Sequence, residues 1–144
     1  MILIPINYLA VLSAAIISMV LGGLWYSPLL FGNIWMKEMN INKKKVEEMK
    51  KKGIVKSGML KSYVLMFVGC LVTSCVLAHF VKYLQVNTFI LALQLAIMVW
   101  LGFIVPMALS SVLWEGKSIK VYLINVGYTL VSLVIATLIL GFWV

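Results

Sequence analysis

Apolar residues dominate the chain, and its few charged residues leave four long uncharged runs, at residues 1–36, 62–81, 83–114 and 121–144. Because about 20 apolar residues cross the roughly 30 Å hydrocarbon core of a bilayer, each run is long enough for one spanning helix. The pattern predicts an all-α polytopic membrane protein, a four-transmembrane-helix bundle forming a single domain over residues 1–144. At about 20 residues per crossing, the predicted spans cover about residues 5–27, 60–81, 87–113 and 119–143.

Composition excludes a soluble globular protein. The chain is 64% hydrophobic and only 11% charged, whereas about 25% of the residues in ordinary soluble domains are charged. So little chain remains outside the four runs that we expect no separate soluble domain.

The distribution of lysines predicts the orientation in the membrane. Nine lysines lie between the first and second predicted spans, and two more, Lys117 and Lys120, lie between the third and fourth. Only Lys82 lies on the other side of the membrane. Since short cytoplasmic loops carry the lysine excess, we predict a plasma-membrane protein with both termini outside and a basic cytoplasmic loop at about residues 29–59.

The basic loop is also the predicted contact with lipids. Residues 42–53 are predicted to form a short helix, which Asn42 caps and Gly53 ends. Clustered lysines beside a membrane attract anionic headgroups, and here the cluster comprises Lys43, Lys44, Lys45, Lys50, Lys51 and Lys52. We expect no nucleic-acid partner, because no aromatic residues are interleaved with these lysines.

Small residues recur at four-residue steps in two predicted spans. The first span carries Ala14, Ser18 and Gly22, and the second carries Cys70, Ser74 and Ala78. Such seams let helices approach closely in lipid. They predict a homo-oligomer, although a monomeric bundle uses the same pattern to pack its own helices.

An aromatic segment, which we call the hook, follows the first predicted span. It comprises Trp25, Tyr26, Ser27, Pro28, Phe31, Gly32 and Trp35. Proline stops the helix here, and Trp and Tyr favour the headgroup layer of a membrane. We therefore interpret the hook as an interfacial segment.

Uncharged polar positions of the four spans fall at similar depths, roughly 9 to 18 Å from the cytoplasmic ends at a rise of about 1.5 Å per residue. Pro106 is expected to break the third span and to free the Gly102 carbonyl. We call this set the polar slab: Ser18, Cys70, Thr73, Gly102, Pro106, Asn125, Tyr128 and Thr129. Two interpretations remain open, an interhelical hydrogen-bond network, which is the commoner use of such groups, and a small polar cavity.

The sequence offers little for catalysis. No Asp, Glu, Lys or Arg lies in the interior of a predicted span, and such residues usually mark proton relays and ion pathways. His79 has Cys75 one turn away but no third ligand, so we expect neither a metal nor a cofactor. We predict a non-enzymatic protein with a structural or regulatory role. The alternative is a small channel or transporter for an uncharged or weakly charged solute that binds in the polar slab. A third hypothesis, an intramembrane enzyme acting on lipid, requires a base that the sequence does not display.

Several short motifs occur in a fixed order along the chain: Trp25-Tyr26-Ser27-Pro28, Phe31-Gly32, Trp35, Gly102-Phe103, Glu115-Gly116 and Asn125-x-Gly127-Tyr128. On these motifs the chain resembles the domain-of-unknown-function 1761 family over nearly its whole length. The resemblance implies a small four-span membrane protein and no assigned activity. Thr129 stands where family members often carry a histidine, so the resemblance supports no mechanism that needs that imidazole.

Overall fold

The computed structural model describes residues 4–39, 44 and 54–143. Within these residues, four helices are long and apolar enough to cross a membrane, and we call them spans 1 to 4: Tyr8–Trp25, Leu60–Tyr83, Phe89–Leu113 and Ile119–Phe142. The structure is 81% helical, and the described ranges contain no strand. The predicted all-α, four-span architecture is confirmed.

Shorter elements connect the spans. A helix at Gly32–Glu38 follows span 1, and span 2 is the C-terminal part of a longer helix, Ile54–Tyr83. The helix predicted at residues 42–53 lies outside the described residues, apart from Lys44. Of the six lysines predicted to meet lipid headgroups, Lys44 is described, and the other five lie outside the described residues.

Polar side chains fix where three of the spans begin. The Asn7 side chain accepts hydrogen bonds from the Leu9 and Ala10 amides at 3.1 and 3.3 Å. Thr88 caps span 3 and Ser118 caps span 4 in the same way, each through its hydroxyl at 3.2 Å. These residues satisfy amide groups that have no partner within the helix, so they set the first turn of each span.

A tight turn joins spans 2 and 3. The Val86 amide donates to the Val81 carbonyl at 2.9 Å, and Gln85 adopts the left-handed conformation, with φ of 52°. This is the hydrogen-bond pattern that commonly ends a helix. We call this side of the bundle the turn end, and the opposite side, which carries the hook, Lys61 and Lys117, the lysine end.

Span 3 is not a regular α-helix. Its first segment, Phe89–Val99, is followed by a π-helical turn at Trp100–Ile104 and by short helices at Val105–Ala108 and Ser110–Leu113. In the π turn the Val105 amide donates to the Trp100 carbonyl. Proline cannot donate to a carbonyl one turn earlier, so the break predicted before Pro106 takes the form of a π turn.

Span 4 lies at the centre of the bundle. It packs against spans 1, 2 and 3, and spans 1 and 2 also pack against each other. In the described helices, spans 2 and 3 make no extended contact with each other. The apolar core lies towards the turn end and includes Ala14, Leu77, Val81, Ala92, Ala96, Ala136 and Leu140. Spans 2 and 3 therefore meet near the turn that joins them and leave a gap in front of span 4 nearer the lysine end.

Candidate functional site

The hook folds back against span 4. Its Tyr26 hydroxyl donates to Asn125 Oδ1 at 2.7 Å, and the Trp25 indole donates to the Ile124 carbonyl at 2.9 Å. The Tyr26 ring also lies 5.7 Å from the Trp35 ring and 5.8 Å from the Tyr128 ring. The contact with Trp35 is edge-to-face and the contact with Tyr128 is tilted, and aromatic pairs of this kind favour a fixed arrangement. The hook thus attaches the end of span 1 to span 4.

Two glycines make this close approach feasible. At Gly32, which is buried, a Cβ would lie 2.6 Å from the Ser27 carbonyl carbon and oxygen, and closer still to the Tyr26 carbonyl oxygen. At Gly127, a Cβ would lie 3.2 Å from Cζ2 of Trp25. The hook and the Asn125-x-Gly127-Tyr128 motif therefore meet in one place: Gly32 permits the tight turn, and Gly127 leaves room for the Trp25 indole.

The Tyr26 phenol remains a hydrogen-bond donor over the ordinary pH range. Tyr26 follows the last residue of span 1. Its burial, and secondarily the neighbouring Tyr128 phenol, raise the pKa of Tyr26 to about 12. Burial disfavours the charged phenolate, so the neutral hydroxyl stays paired with Asn125.

Two further polar contacts join spans 1 and 4 deeper in the bundle. The Tyr128 hydroxyl donates to the Ser18 carbonyl at 2.9 Å, and the Ser132 hydroxyl donates to the Ser18 hydroxyl at 3.0 Å. Thr129 bonds within its own helix, to the Val126 carbonyl at 2.8 Å. Part of the polar slab is therefore an interhelical hydrogen-bond network.

Span 3 is attached to span 4 around its π turn. The Trp100 indole donates to the Val126 carbonyl at 2.7 Å, and the Tyr122 hydroxyl donates to the Val105 carbonyl at 3.2 Å. Trp100, Tyr122 and Ser132 are not among the site residues predicted from the sequence. The sequence signal that could have identified Trp100 and Tyr122 is that a Trp or Tyr within an apolar span needs an acceptor for its polar hydrogen.

A crevice of about 270 Å³ opens beside span 4, between spans 2 and 3. Five residues of the polar slab line it: Ser18, Cys70, Thr73, Tyr128 and Thr129. Met66, Gly69, Ser74, Ile104, Ser132, Leu133 and Ala136 complete the lining. The crevice lining combines hydroxyl groups from spans 1, 2 and 4 with apolar side chains from spans 2, 3 and 4.

The remaining three residues of the polar slab lie elsewhere. Gly102 and Pro106 are on the exposed side of span 3. Asn125 faces a second cavity, of about 300 Å³, at the lysine end, together with Tyr26, Trp35 and Lys117. Similar depth therefore brings five residues of the polar slab to one crevice and leaves Gly102, Pro106 and Asn125 outside it.

The ionisable side chains considered from the sequence have local partners. His79 Nδ1 lies 2.8 Å from the Cys75 carbonyl oxygen, which makes this nitrogen the donor. Lys117 pairs with Glu115 at 3.2 Å, and Lys120 pairs with Glu38 at 3.7 Å. Over residues 4–39, 44 and 54–143, no three His, Cys, Asp or Glu side chains are grouped so that they could hold a metal ion.

These features define a small polytopic membrane protein in which an aromatic hook and a broken third span are both fastened to a central fourth helix. The model of a family of proteins of unknown function, DUF1761, matches residues 9–141. The chain belongs to this family, as its motifs predict. No curated protein and no solved structure matches the chain.

Proposed function

We propose that the protein is a non-enzymatic, homo-oligomeric helix bundle of the plasma membrane with a structural or regulatory role. The observation that carries this proposal is that polar groups of span 4 form hydrogen bonds to the neighbouring spans. The Tyr128 and Ser132 hydroxyls bond to Ser18 of span 1, and the Val126 carbonyl accepts the Trp100 indole of span 3. Interhelical hydrogen bonds in lipid average about 0.6 kcal/mol each, so together they favour a fixed scaffold.

The lysine end is the proposed cytoplasmic surface. Lys61, Lys117 and Lys120 are exposed at this end, whereas Lys82 is exposed at the turn end. Each lysine near an anionic leaflet contributes about 1 kcal/mol of attraction. In this proposal both termini lie outside, and the loop lysines bind anionic lipid headgroups.

Lipid preference tests the proposed lysine surface. A variant with glutamine in place of Lys43, Lys44, Lys45, Lys50, Lys51 and Lys52 is compared with wild type and with Lys82→Gln in bilayers of mixed phosphatidylserine and phosphatidylcholine. Spin-labelled phosphatidylserine should associate preferentially with wild type and with Lys82→Gln, but not with the loop variant. Equal association with all three proteins would contradict the proposal.

Light scattering in mild detergent tests the homo-oligomer. The detergent-corrected protein mass is expected to be at least two times the chain mass of 16.1 kDa. A protein mass of a single chain, unchanged after reconstitution into bilayers and chemical cross-linking, would contradict self-association.

A second candidate function is a channel or transporter for an uncharged or weakly charged solute. The two cavities favour it, because Tyr128 lines the crevice, Tyr26 lines the lysine-end cavity, and the centroids of their rings lie 5.8 Å apart. Transport by this route requires the Tyr26–Asn125 pair to open. Glycerol or urea flux into proteoliposomes tests the candidate, and flux that Asn125→Leu leaves unchanged would remove this route.

A further inference from the structure

We propose that the crevice beside span 4 binds a single-chain, neutral lipophile that carries a hydroxyl group and enters sideways from the bilayer. The proposal rests on three features of the crevice: its opening towards lipid, the chemistry of its lining and its size.

The crevice opens sideways because spans 2 and 3 do not close in front of span 4. On the side of span 2, Met66, Gly69 and Thr73 are exposed and line the opening. A Cβ added to Gly69 would meet no atom within 4 Å. Ile104 of span 3 lines the crevice as well. In a membrane, this opening faces acyl chains, so its direct source of ligand is the lipid phase.

The lining of the crevice offers hydrogen bonds without charge. Tyr128 and Thr129 already donate their hydroxyl hydrogens to carbonyls, and their oxygens can still accept a hydrogen bond. The Thr73 hydroxyl has no hydrogen-bond partner among the described residues. A ligand hydroxyl suits these groups, because it can donate its one hydrogen to the oxygen of Tyr128 or Thr129 and can accept from Thr73.

Charge and depth exclude an ionised headgroup from this position. All of the residues that line the crevice are uncharged. Tyr128 lies nine residues into span 4, about 13 Å along the axis at about 1.5 Å per residue. An unpaired charge at such a depth is costly, so a neutral polar group is the complement of this lining.

Size restricts the ligand to a slender molecule. The volume of about 270 Å³ lies just below the roughly 300 Å³ at which ordinary ligand pockets begin. One aliphatic chain with a small polar group fits this volume, whereas a two-chain lipid does not. The proposal requires no passage across the membrane, so a negative flux measurement leaves it intact and bears only on the second candidate function.

Photolabelling tests the proposal directly. The full-length protein in phosphatidylcholine nanodiscs is irradiated with a C12 alcohol carrying a diazirine, and in parallel with the corresponding C12 hydrocarbon. Labelled peptides are identified by mass spectrometry, and unlabelled dodecanol serves as competitor. We expect the alcohol to label residues 66–73 and 128–136, and dodecanol to remove this labelling.

Two matched glycine variants distinguish labelling in the crevice from labelling of the lipid-exposed surface in general. Gly69→Leu places a side chain in the crevice, whereas Gly23→Leu places the same side chain on an exposed position of span 1, where a Cβ also meets no atom within 4 Å. We expect Gly69→Leu to lower the competed labelling by about tenfold and Gly23→Leu to leave it unchanged, with the melting temperatures of both near that of wild type.

The hydroxyl requirement has its own test in the double variant Thr73→Val, Thr129→Val. We expect this variant to lower the preference for the alcohol over the hydrocarbon while keeping the crevice volume, because only the Tyr128 oxygen then remains of the three proposed partners. Any of three outcomes would overturn the proposal. The label could spread evenly over all lipid-facing helices, dodecanol could fail to reduce the labelling, or the alcohol and the hydrocarbon could label wild type equally. If Gly69→Leu fails to fold, the proposal is decided by the dodecanol competition in wild type and by the alcohol preference of the Thr73→Val, Thr129→Val variant.

Discussion

The substitution Gly32→Ala tests whether the tight turn of the hook holds the bundle together. The added Cβ would lie closest to the Tyr26 carbonyl oxygen and 2.6 Å from the Ser27 carbonyl carbon and oxygen. Ordinary contacts begin near 3.4 Å, so the turn must open by at least about 0.8 Å at the Ser27 carbonyl. That carbonyl accepts from Leu30 at 3.1 Å and from Gly32 at 2.9 Å. Moving its oxygen by this amount takes both hydrogen bonds beyond useful length.

The expected loss of stability of Gly32→Ala is the sum of three contributions. Loss of two hydrogen bonds costs about 2 kcal/mol, and overpacking against backbone costs about 1 kcal/mol or more. Alanine at the first position of the helix Gly32–Glu38 returns at most about 1 kcal/mol of helix propensity. The net loss is about 2 kcal/mol, which corresponds to a fall in melting temperature of about 6 °C for a chain of this size.

The assay is thermal unfolding in detergent, followed by the reaction of the Cys70 and Cys75 thiols with a fluorogenic maleimide. Gly23→Ala is the matched control, because a Cβ at Gly23 meets no atom within 4 Å, and its melting temperature should equal or slightly exceed that of wild type. Equal melting temperatures for Gly32→Ala and Gly23→Ala would refute the argument that only glycine fits the turn.

Three more outcomes follow from the contacts of span 4. In a double-mutant cycle of Tyr26→Phe and Asn125→Leu, unfolding measurements should give a coupling energy of about 0.6 to 1.7 kcal/mol; additive effects would contradict the bond. Trp100→Phe should lower the melting temperature through loss of the bond to the Val126 carbonyl, while Trp114→Phe, at a position that is 86% exposed, should not. In a Cys70→Ala, Cys75→Ala background, Thr129→Cys should react more slowly with a charged thiol reagent than with a membrane-permeable one; equal rates would indicate a hydrated crevice.

Much of the fold follows from the length of the uncharged runs. A bilayer core fixes how many apolar residues cross it, so four runs predict four spans whatever the details of packing. The individual ends follow from local chemistry, as Asn7, Thr88 and Ser118 show by capping their helices. Such signals are readable because they depend only on neighbouring residues.

The position of the hook was predictable, but its contacts were not. Pro28 and the surrounding aromatic residues indicate where span 1 ends. The pairing of Tyr26 with Asn125 joins residues 99 positions apart, and it depends on the room that Gly127 provides for Trp25. No local pattern encodes such a pairing.

The polar slab was predictable in depth but not in direction. Rise per residue gives depth along a helix, whereas rotation about the helix axis decides what a side chain faces. Both the lipid-facing and the protein-facing sides of a span are apolar, so hydrophobic periodicity does not fix that rotation. The π turn at Trp100–Ile104 alters the rotation of span 3 further, and Gly102 and Pro106 consequently lie on its exposed side.

The most direct test of the proposed architecture places single cysteines on the two sides of the membrane. In a Cys70→Ala, Cys75→Ala background, Lys45→Cys lies in the basic loop and Asn87→Cys lies in the turn between spans 2 and 3. We predict that a membrane-impermeant maleimide labels Asn87→Cys in intact cells and labels Lys45→Cys only after permeabilisation. Labelling of both positions from outside intact cells, or of Lys45→Cys alone, would contradict four crossings with the lysine end in the cytoplasm.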